Sequence, residues 1–227
     1  MKTIIYFFEF LVIIILFIIF KIIGYKSASN LGCYIGKIIG PKFRSKKLII
    51  ENLKKFKTSI DNNEINKIIN EMWGNYGRIL AEYPYISNFR KKKLENYLEI
   101  EGMHNLEIIK KNKKPVIFVS GHFNNFELMA MIIEREGIDL SAVYRPLNNK
   151  FLNKVMEYLR TNFICKKQIK KGLNGLREAL KHFKNGNSLA IMIDQRVTEG
   201  ISSRLFGEEA FTTTIPAQFV KKFNCII

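Results

Sequence analysis

His122 and Glu127 are the residues of this sequence whose types and spacing could perform acid–base chemistry. They lie in the stretch Ser-Gly-His-Phe-Asn-Asn-Phe-Glu at 120–127, directly after an apolar run at 115–119. On one continuous helix, five positions would turn the two side chains about 140° apart. They can meet only if His122 lies in a turn and Glu127 in the first turn of the next helix. An ionised carboxylate on one imidazole nitrogen would leave the other nitrogen as a general base.

The same spacing also suits a capping histidine followed by a surface glutamate, so the pattern alone leaves both interpretations open. His104 and His182 lack comparable neighbours and are predicted to be surface or packing residues. No second His, Cys or carboxylate stands at a metal-ligand spacing, and the three cysteines are too far apart for a disulfide scaffold. Neither a Gly-x-Ser-x-Gly elbow nor a glycine-rich phosphate loop is present. Chemistry through a base, without a covalent intermediate, fits what remains.

Short apolar runs that alternate with helical patterns predict an α/β fold, with a mixed central sheet flanked by helices. The predicted strands are 97–100, 115–120, 140–144 and 188–193, and the predicted helices are 126–136, 147–160 and 173–183. In open α/β folds the chemistry lies at the carboxyl ends of the strands, where His122 stands. Upstream, apolar residues at helical spacing between Ile65 and Leu80 predict an amphipathic packing helix. Thr212–Thr214 before Pro216 predicts a helix N-cap with proline in the first turn.

Residues 4–23 form an apolar run interrupted only by Glu9 and Lys21. As a helix this run is about 30 Å long, the thickness of a hydrocarbon core, and it is too long to favour a cleaved signal peptide. Lys2 alone precedes it, whereas seven Lys or Arg lie between positions 21 and 47. The positive-inside rule therefore predicts a single-pass anchor with the body in the cytoplasm. We divide the chain into an anchor (1–24), a helical membrane-proximal segment (25–96) and an α/β core (97–227).

The chain has 227 residues and a net charge of +17. Such a charge favours binding to nucleic acid, to an anionic membrane surface or to an acidic substrate. Its 47% hydrophobic content supports a packed core. Between positions 142 and 185, eleven Lys or Arg stand against two acids.

Two parts of this basic region are candidate binding sites. Arg145 follows a predicted strand and could reach the strand-end cleft. Lys170, Lys171 and Arg177 flank a predicted helix start, where phosphate is favoured, although a solvated basic face has the same pattern. Asp194 ends another predicted strand, beside Gln195, and could orient Arg145 or Arg196.

Several stretches, in this order, resemble the bacterial lipid A biosynthesis acyltransferases, the lauroyl and myristoyl transferase family within the wider glycerolipid acyltransferase group. Two positions depart from the common pattern, which often has a small residue at Asn124 and Trp at Phe126. Both departures from the family pattern are expected to alter the pocket wall and not the His122–Glu127 pair. The matching stretches are 120–127, 142–160, 170–180, 190–201, 205–214 and 216–219.

This resemblance implies acyl transfer from an acyl-carrier-protein thioester to a hydroxyl of a lipid A precursor, in lipopolysaccharide biosynthesis at the bacterial inner membrane. It implies His122 as the base, Glu127 as its orienter, and Arg145 or backbone N–H groups as oxyanion donors. No metal or cofactor is expected beyond the acyl carrier protein as co-substrate. The expected partners are that carrier, a phosphorylated glycolipid and an anionic membrane surface, but no nucleic acid. The implied substrate-binding residues are Asn125, Arg145, Lys170, Lys171, Arg177, Asp194 and Gln195.

Two other interpretations stay open at this point. The same chemistry could act on another acceptor, such as a phospholipid, an ornithine lipid or a glycolipid. Alternatively, the chain could be a membrane-anchored basic binding module, but such a module would have no use for His122 and Glu127. Family members also usually continue with a further strand and helices after the position of Ile227.

Overall fold

The computed structural model describes residues 2–227, which form two units. An α/β unit comprises residues 2–10, 86–202 and 211–227, and a helical unit comprises residues 11–85 and 203–210. The boundary between them falls within the first helix and after Tyr85, whereas the sequence pattern predicts boundaries at 24 and 96.

Within residues 2–227, helices precede the first strand, alternate with the strands of the main sheet and end the chain after the last strand. Short 3-10 turns at Gly40–Lys42, Tyr83–Tyr85 and Glu95–Tyr97 connect some of them. The α-helices are α1 (Lys2–Ile23), α2 (Tyr25–Ile39), α3 (Lys46–Phe56), α4 (Asn62–Glu82), α5 (Ile86–Arg90), α6 (Met103–Asn112), α7 (Glu127–Arg135), α8 (Lys150–Phe163), α9 (Leu173–Lys184) and α10 (Ile215–Phe223).

The main sheet has the order β1-β4-β2-β3, and every pairing in it is parallel. The predicted α/β class with flanking helices is thus confirmed, and the structure specifies a parallel main sheet. Ser120 at the end of β1 lies beside Met192 at the end of β4. A separate hairpin pairs β5 with β6. The strands are β1 (Ile117–Ser120), β2 (Leu140–Tyr144), β3 (Lys167–Lys170), β4 (Ser188–Met192), β5 (Ile201–Leu205) and β6 (Glu208–Thr212).

The core of the α/β unit lies where α9 and α10 cover the sheet. Phe183 of α9 meets Phe219 of α10 edge-on, with ring centroids 5.3 Å apart, and both side chains are buried with Ile169 and Leu189. Fully burying such side chains contributes about 1.5–3 kcal/mol each. Elsewhere α7 contacts β2, and α5 packs against both α7 and α8. This packing fixes the strand ends that carry the site.

In the helical unit, α2 and α4 approach each other closely through glycines. A Cβ on Gly32 would lie 2.4 Å from the carbonyl oxygen of Gly77, and one on Gly36 would lie 2.3 Å from that of Trp73. Only glycine, whose side chain is a hydrogen atom, allows the two helices to approach this closely. The predicted amphipathic helix is confirmed as α4, whose first turn is capped by Asp61.

Helix α1 has a mean hydropathy of 2.9 and is long and apolar enough to cross a membrane. The predicted apolar run therefore forms one continuous helix from Lys2 to Ile23, a candidate membrane span.

Two local predictions were incomplete. Residues 97–100 do not form a strand, because the chain makes a 3-10 turn at Glu95–Tyr97 and then continues without a ladder partner in the described sheet. Strand β3 was missed because only Ile169 of Lys167–Lys170 is buried. Thr214 stands at the N-cap position of α10, with Pro216 in the first turn as predicted, but its side chain makes no capping hydrogen bond. Its hydroxyl oxygen instead accepts a hydrogen bond from the Gln218 side chain.

Candidate active site

The register of β1 and β4 places His122 next to Asp194. Ser120 pairs with Met192, and His122 and Asp194 each lie two residues beyond that pair. One Asp194 oxygen accepts a hydrogen bond from the backbone N–H of His122 at 2.7 Å. The other oxygen lies 2.8 Å from the His122 ring nitrogen Nδ1. Since a carboxylate only accepts, Nδ1 carries the proton and Nε2 is the basic nitrogen.

The carboxyl of Asp194 is held in its ionised form by this arrangement. Burial on its own would raise the pKa of Asp194, but the backbone and ring hydrogen bonds from His122 outweigh it and lower that pKa below its ordinary value. The ring of His122 is packed edge-on against Phe126, with centroids 4.7 Å apart. These contacts therefore set the position and tautomer of His122 and the charge of Asp194.

The predicted role of Glu127 as the orienter of His122 is corrected by this geometry, because Asp194 is the carboxylate at Nδ1. Glu127 begins α7, as the spacing predicts, but its carboxylate is buried and accepts the Nε–H of Arg160 at 2.8 Å. A second N–H of Arg160 binds the same oxygen. Glu127 is thus held in a buried ion pair with Arg160, and Asp194 orients His122 rather than Arg145 or Arg196.

Arg160 also joins a second polar network on α8. Its guanidinium lies over the ring of Tyr144, 5.5 Å from the centroid. The Tyr144 hydroxyl donates to Glu157, which also pairs with Lys170 at 3.1 Å. Burial, followed by the hydrogen bond to Glu157, raises the pKa of Tyr144. The same hydrogen bond outweighs burial at Glu157 and lowers its pKa, so this carboxylate stays ionised.

A cavity of about 740 Å³ opens at the carboxyl ends of the strands. His122 and Glu127 both line it, together with Tyr144 and Arg160. Much of the rest of the wall is apolar, from Met129, Ala130, Ala142, Val143, Ile164, Leu176, Ala190 and Ile191. This volume and lining are typical of a small-molecule or lipid site.

The structure brings only some of the predicted binding residues to this cavity. Arg145, Lys171 and Gln195 line it. Lys170 is instead directed to Glu157, and Arg177 is exposed on α9 away from the cavity wall. Asn125 is half-buried in the loop before α7 and is not among the lining residues. Asp194 is not among the lining residues either, but it holds His122, which lines the cavity.

Sequence reasoning missed Arg160, although a signal was present. Arg160 lies four residues after Met156, so both occupy the inward face of α8, and both are buried. An arginine at an inward position needs a buried anion. Glu127, which begins a neighbouring helix, supplies it.

Fold and site together define an enzyme of the α/β class, with a carboxylate-oriented histidine at the strand ends of a lipid-sized cavity. The chain belongs to the bacterial lipid A biosynthesis acyltransferase family, whose family model matches residues 1–227. It is therefore an acyltransferase of lipid A type, and its apolar N-terminal helix is consistent with membrane anchoring. A search of curated proteins found no match.

Proposed function

We propose that this protein transfers a fatty acyl chain from an acyl-carrier-protein thioester to a hydroxyl group of a lipid A precursor. The observation that carries this proposal is the His122–Asp194 pair, whose ring lines a large, mainly apolar cavity. Membership of the lipid A biosynthesis acyltransferase family supports the reaction class.

In this proposal Nε2 of His122 accepts the proton of the acceptor hydroxyl as its oxygen attacks the thioester carbonyl carbon. A new C–O bond forms, the C–S bond then breaks, and the carrier thiol leaves with the proton from His122. Asp194 stabilises the imidazolium that forms between the two steps. A thioester is already activated, so neither a covalent enzyme intermediate nor a cofactor is needed.

The cavity wall suits both halves of such a substrate. Apolar side chains from β2, β4 and α7 would pack against an acyl chain. Arg145 and Lys171 place positive charge on the same wall, where a phosphate or the developing oxyanion would be stabilised. We infer that the buried Glu127–Arg160 pair keeps this wall rigid next to His122.

We further propose that the protein acts at the cytoplasmic side of the bacterial inner membrane. The excess of Lys and Arg after residue 20 supports this side. A net charge of +17 also suits three anionic partners, namely the carrier protein, the phosphorylated acceptor and the membrane surface. Nucleic acid is not needed to account for it.

The proposal is tested by an acyl-transfer assay. Membranes that contain the full chain are incubated with a panel of acyl carrier proteins and lipid acceptors. Mass spectrometry of the lipids identifies the product. We expect one added acyl chain on the phosphorylated glucosamine disaccharide. Transfer only to phospholipid, ornithine lipid or another glycolipid would keep the chemistry but refute the acceptor, and no transfer to any acceptor would refute the function.

A further inference from the structure

Basic side chains cover the outer surface of β3 and α9 in the α/β unit. Between positions 166 and 185, seven Lys or Arg stand against one acid, Glu178, and all seven are exposed. Such a concentration of one charge attracts anionic partners. We call these seven residues the basic face, namely Lys166, Lys167, Lys170, Lys171, Arg177, Lys181 and Lys184.

The basic face begins at the mouth of the cavity. Lys171 and Leu173 both line the cavity, and the backbone N–H of Lys171 donates to the Tyr144 carbonyl at the end of β2, at 2.8 Å. From Leu173, helix α9 runs back along the sheet to Lys184, a rise of about 16 Å. The basic face therefore extends from the cavity towards the amino-terminal ends of the strands.

Close packing holds α9 in this position. A Cβ on Gly175 would lie 1.8 Å from the Lys170 carbonyl oxygen, so only glycine lets the first turn of α9 lie against the end of β3. On its inward side α9 buries Ala179 and Phe183 in the core of the α/β unit. The outward side of α9, which carries basic residues, is thus a preformed surface.

The outward side of α9 combines a row of cations with an exposed apolar side chain. Arg177, Lys181 and Lys184 follow one another at spacings of four and three, so they form one row along the helix. Leu173 stands four residues before Arg177, at the head of the same row, and is 80% exposed. An apolar contact beside charged residues is typical of a surface that binds another protein.

The reaction proposed above needs a place for a donor protein. A carrier protein is too large to enter a cavity of about 740 Å³, so its body must rest beside the mouth while its thioester reaches His122. The basic face begins at this mouth. A surface that only attracts lipid headgroups would not have to begin there, nor to present Leu173 at the head of its row of cations.

We propose that the basic face is the docking surface for the acyl carrier protein. Acidic side chains of the carrier contact the row formed by Arg177, Lys181 and Lys184, and Leu173 packs against the carrier at the cavity mouth. This inference rests on the proposed function, because it needs a carrier-bound donor. It gives Arg177, which the cavity does not include, a role in binding the protein that delivers the acyl chain.

Binding of acyl carrier protein to the full-length protein in detergent tests the docking without a transfer assay. The test variant is Arg177→Glu/Lys181→Glu, which turns attraction into repulsion at two exposed positions. We expect its Kd for the carrier to rise at least about tenfold, because charges across an interface steer association. Its Tm should stay near that of wild type. A wild-type Kd for this variant would overturn the proposal.

Lys111→Glu/Lys114→Glu is the matched control. It changes the net charge by the same amount, at exposed positions at the end of α6 and before β1, where the strands have their amino-terminal ends. We expect this control to bind the carrier as wild type does. If it weakens binding as much as Arg177→Glu/Lys181→Glu does, net charge and not the basic face governs the association, and the proposal fails.

Vesicles that contain phosphatidylglycerol test the membrane as the other anionic partner. We expect Arg177→Glu/Lys181→Glu to bind these vesicles as wild type does. Loss of vesicle binding together with unchanged carrier binding would assign the basic face to the membrane and overturn the proposal.

Transfer kinetics separate this inference from the proposed function. An acyl-pantetheine thioester has the reacting group of the carrier-bound donor but no protein surface. We expect Arg177→Glu/Lys181→Glu to lower kcat/KM at least about tenfold with the carrier-bound donor and to leave it unchanged with acyl-pantetheine. Equal losses with both donors would overturn the docking. No transfer by wild type from either donor would refute the proposed function, and the Kd measurement would still decide the docking.

Discussion

Both oxygens of the Asp194 carboxylate are used to hold His122, one by its backbone N–H at 2.7 Å and the other by its ring Nδ1 at 2.8 Å. This double contact fixes the peptide and the imidazole together. It follows directly from the parallel pairing of β1 and β4, since the two residues continue the Ser120–Met192 register. The base and its orienter are therefore set by the sheet and not by a flexible loop.

Replacing Asp194 with Asn tests the orienting role. The amide can present an N–H to Nδ1, which would move the ring proton to Nε2 and remove the base. We expect kcat to fall by roughly 10²–10⁴-fold, the usual contribution of general base catalysis. The rate is measured by acyl transfer from the carrier protein, with Asp139→Asn as the control.

Asp139 is exposed and directly precedes β2, so it lies at the amino-terminal ends of the strands, whereas His122 lies at their carboxyl ends. Its Asn variant should keep the wild-type rate. A wild-type rate for Asp194→Asn as well would show that the carboxylate at Nδ1 does not matter.

Arg160→Ala should be strongly destabilising, because it leaves the Glu127 carboxylate buried without its guanidinium partner. Loss of one partner of a buried ion pair typically costs about 3–5 kcal/mol. Chemical denaturation in detergent measures the free energy of unfolding. Arg177→Ala, at an exposed position of α9, should change it by no more than about 0.5 kcal/mol. Equal effects of the two variants would contradict the structure.

Arg145→Ala should weaken transfer without unfolding the protein, since Arg145 is exposed and lines the cavity. Hydrogen bonds to charged groups contribute about 1.5–3 kcal/mol, so kcat/KM should fall by roughly tenfold or more. A rise in acceptor KM indicates phosphate binding, whereas a fall in kcat indicates oxyanion stabilisation. A collapse of Tm would instead identify a structural residue.

Glu157→Gln should make stability less dependent on pH. The hydrogen bond from Tyr144 is the main cause that lowers the Glu157 pKa in the folded state below 4.5. Its contribution is therefore fully present above about pH 4.5 and is lost as the pH falls through the folded-state pKa. The difference in unfolding free energy between wild type and variant should be largest at pH 7 and should shrink below pH 4.

A double-mutant cycle with Tyr144→Phe measures the coupling directly, and about 0.5–3 kcal/mol is expected for residues in contact. The exposed Glu101 provides the control as Glu101→Gln. A coupling energy of zero would show that the Tyr144–Glu157 hydrogen bond does not stabilise the fold.

Local patterns were sufficient to predict the elements of the fold, but not the contacts between distant parts of the chain. The strand at Leu140–Tyr144 was predicted with its observed bounds, because its run is mainly apolar and is flanked by Asp139 and Arg145. The position of His122 at a strand end was also predicted. Its partner was not, because Asp194 is 72 residues away and meets His122 only through the pairing of β1 with β4.

The same limit explains the role predicted for Glu127. A spacing of five suggested a local pair with His122, but Arg160 reaches Glu127 from α8, 33 residues later. Sequence spacing describes one helix or one turn, whereas tertiary packing selects among several charged partners. The local sign of this pair in the sequence is the spacing of Arg160, four residues after Met156, which places an arginine on the apolar face of the predicted helix.

The most direct test of the central claim is acyl transfer by His122→Asn, compared with wild type and with the surface control His104→Asn. Asparagine is similar in size to histidine but cannot accept the hydroxyl proton at neutral pH. With an acyl-carrier-protein donor and a lipid A precursor, we expect wild type and His104→Asn to form the acylated product at equal rates. His122→Asn should fold normally, with a Tm near that of wild type, and should form at most a residual amount of product. Undiminished transfer by folded His122→Asn would contradict the account.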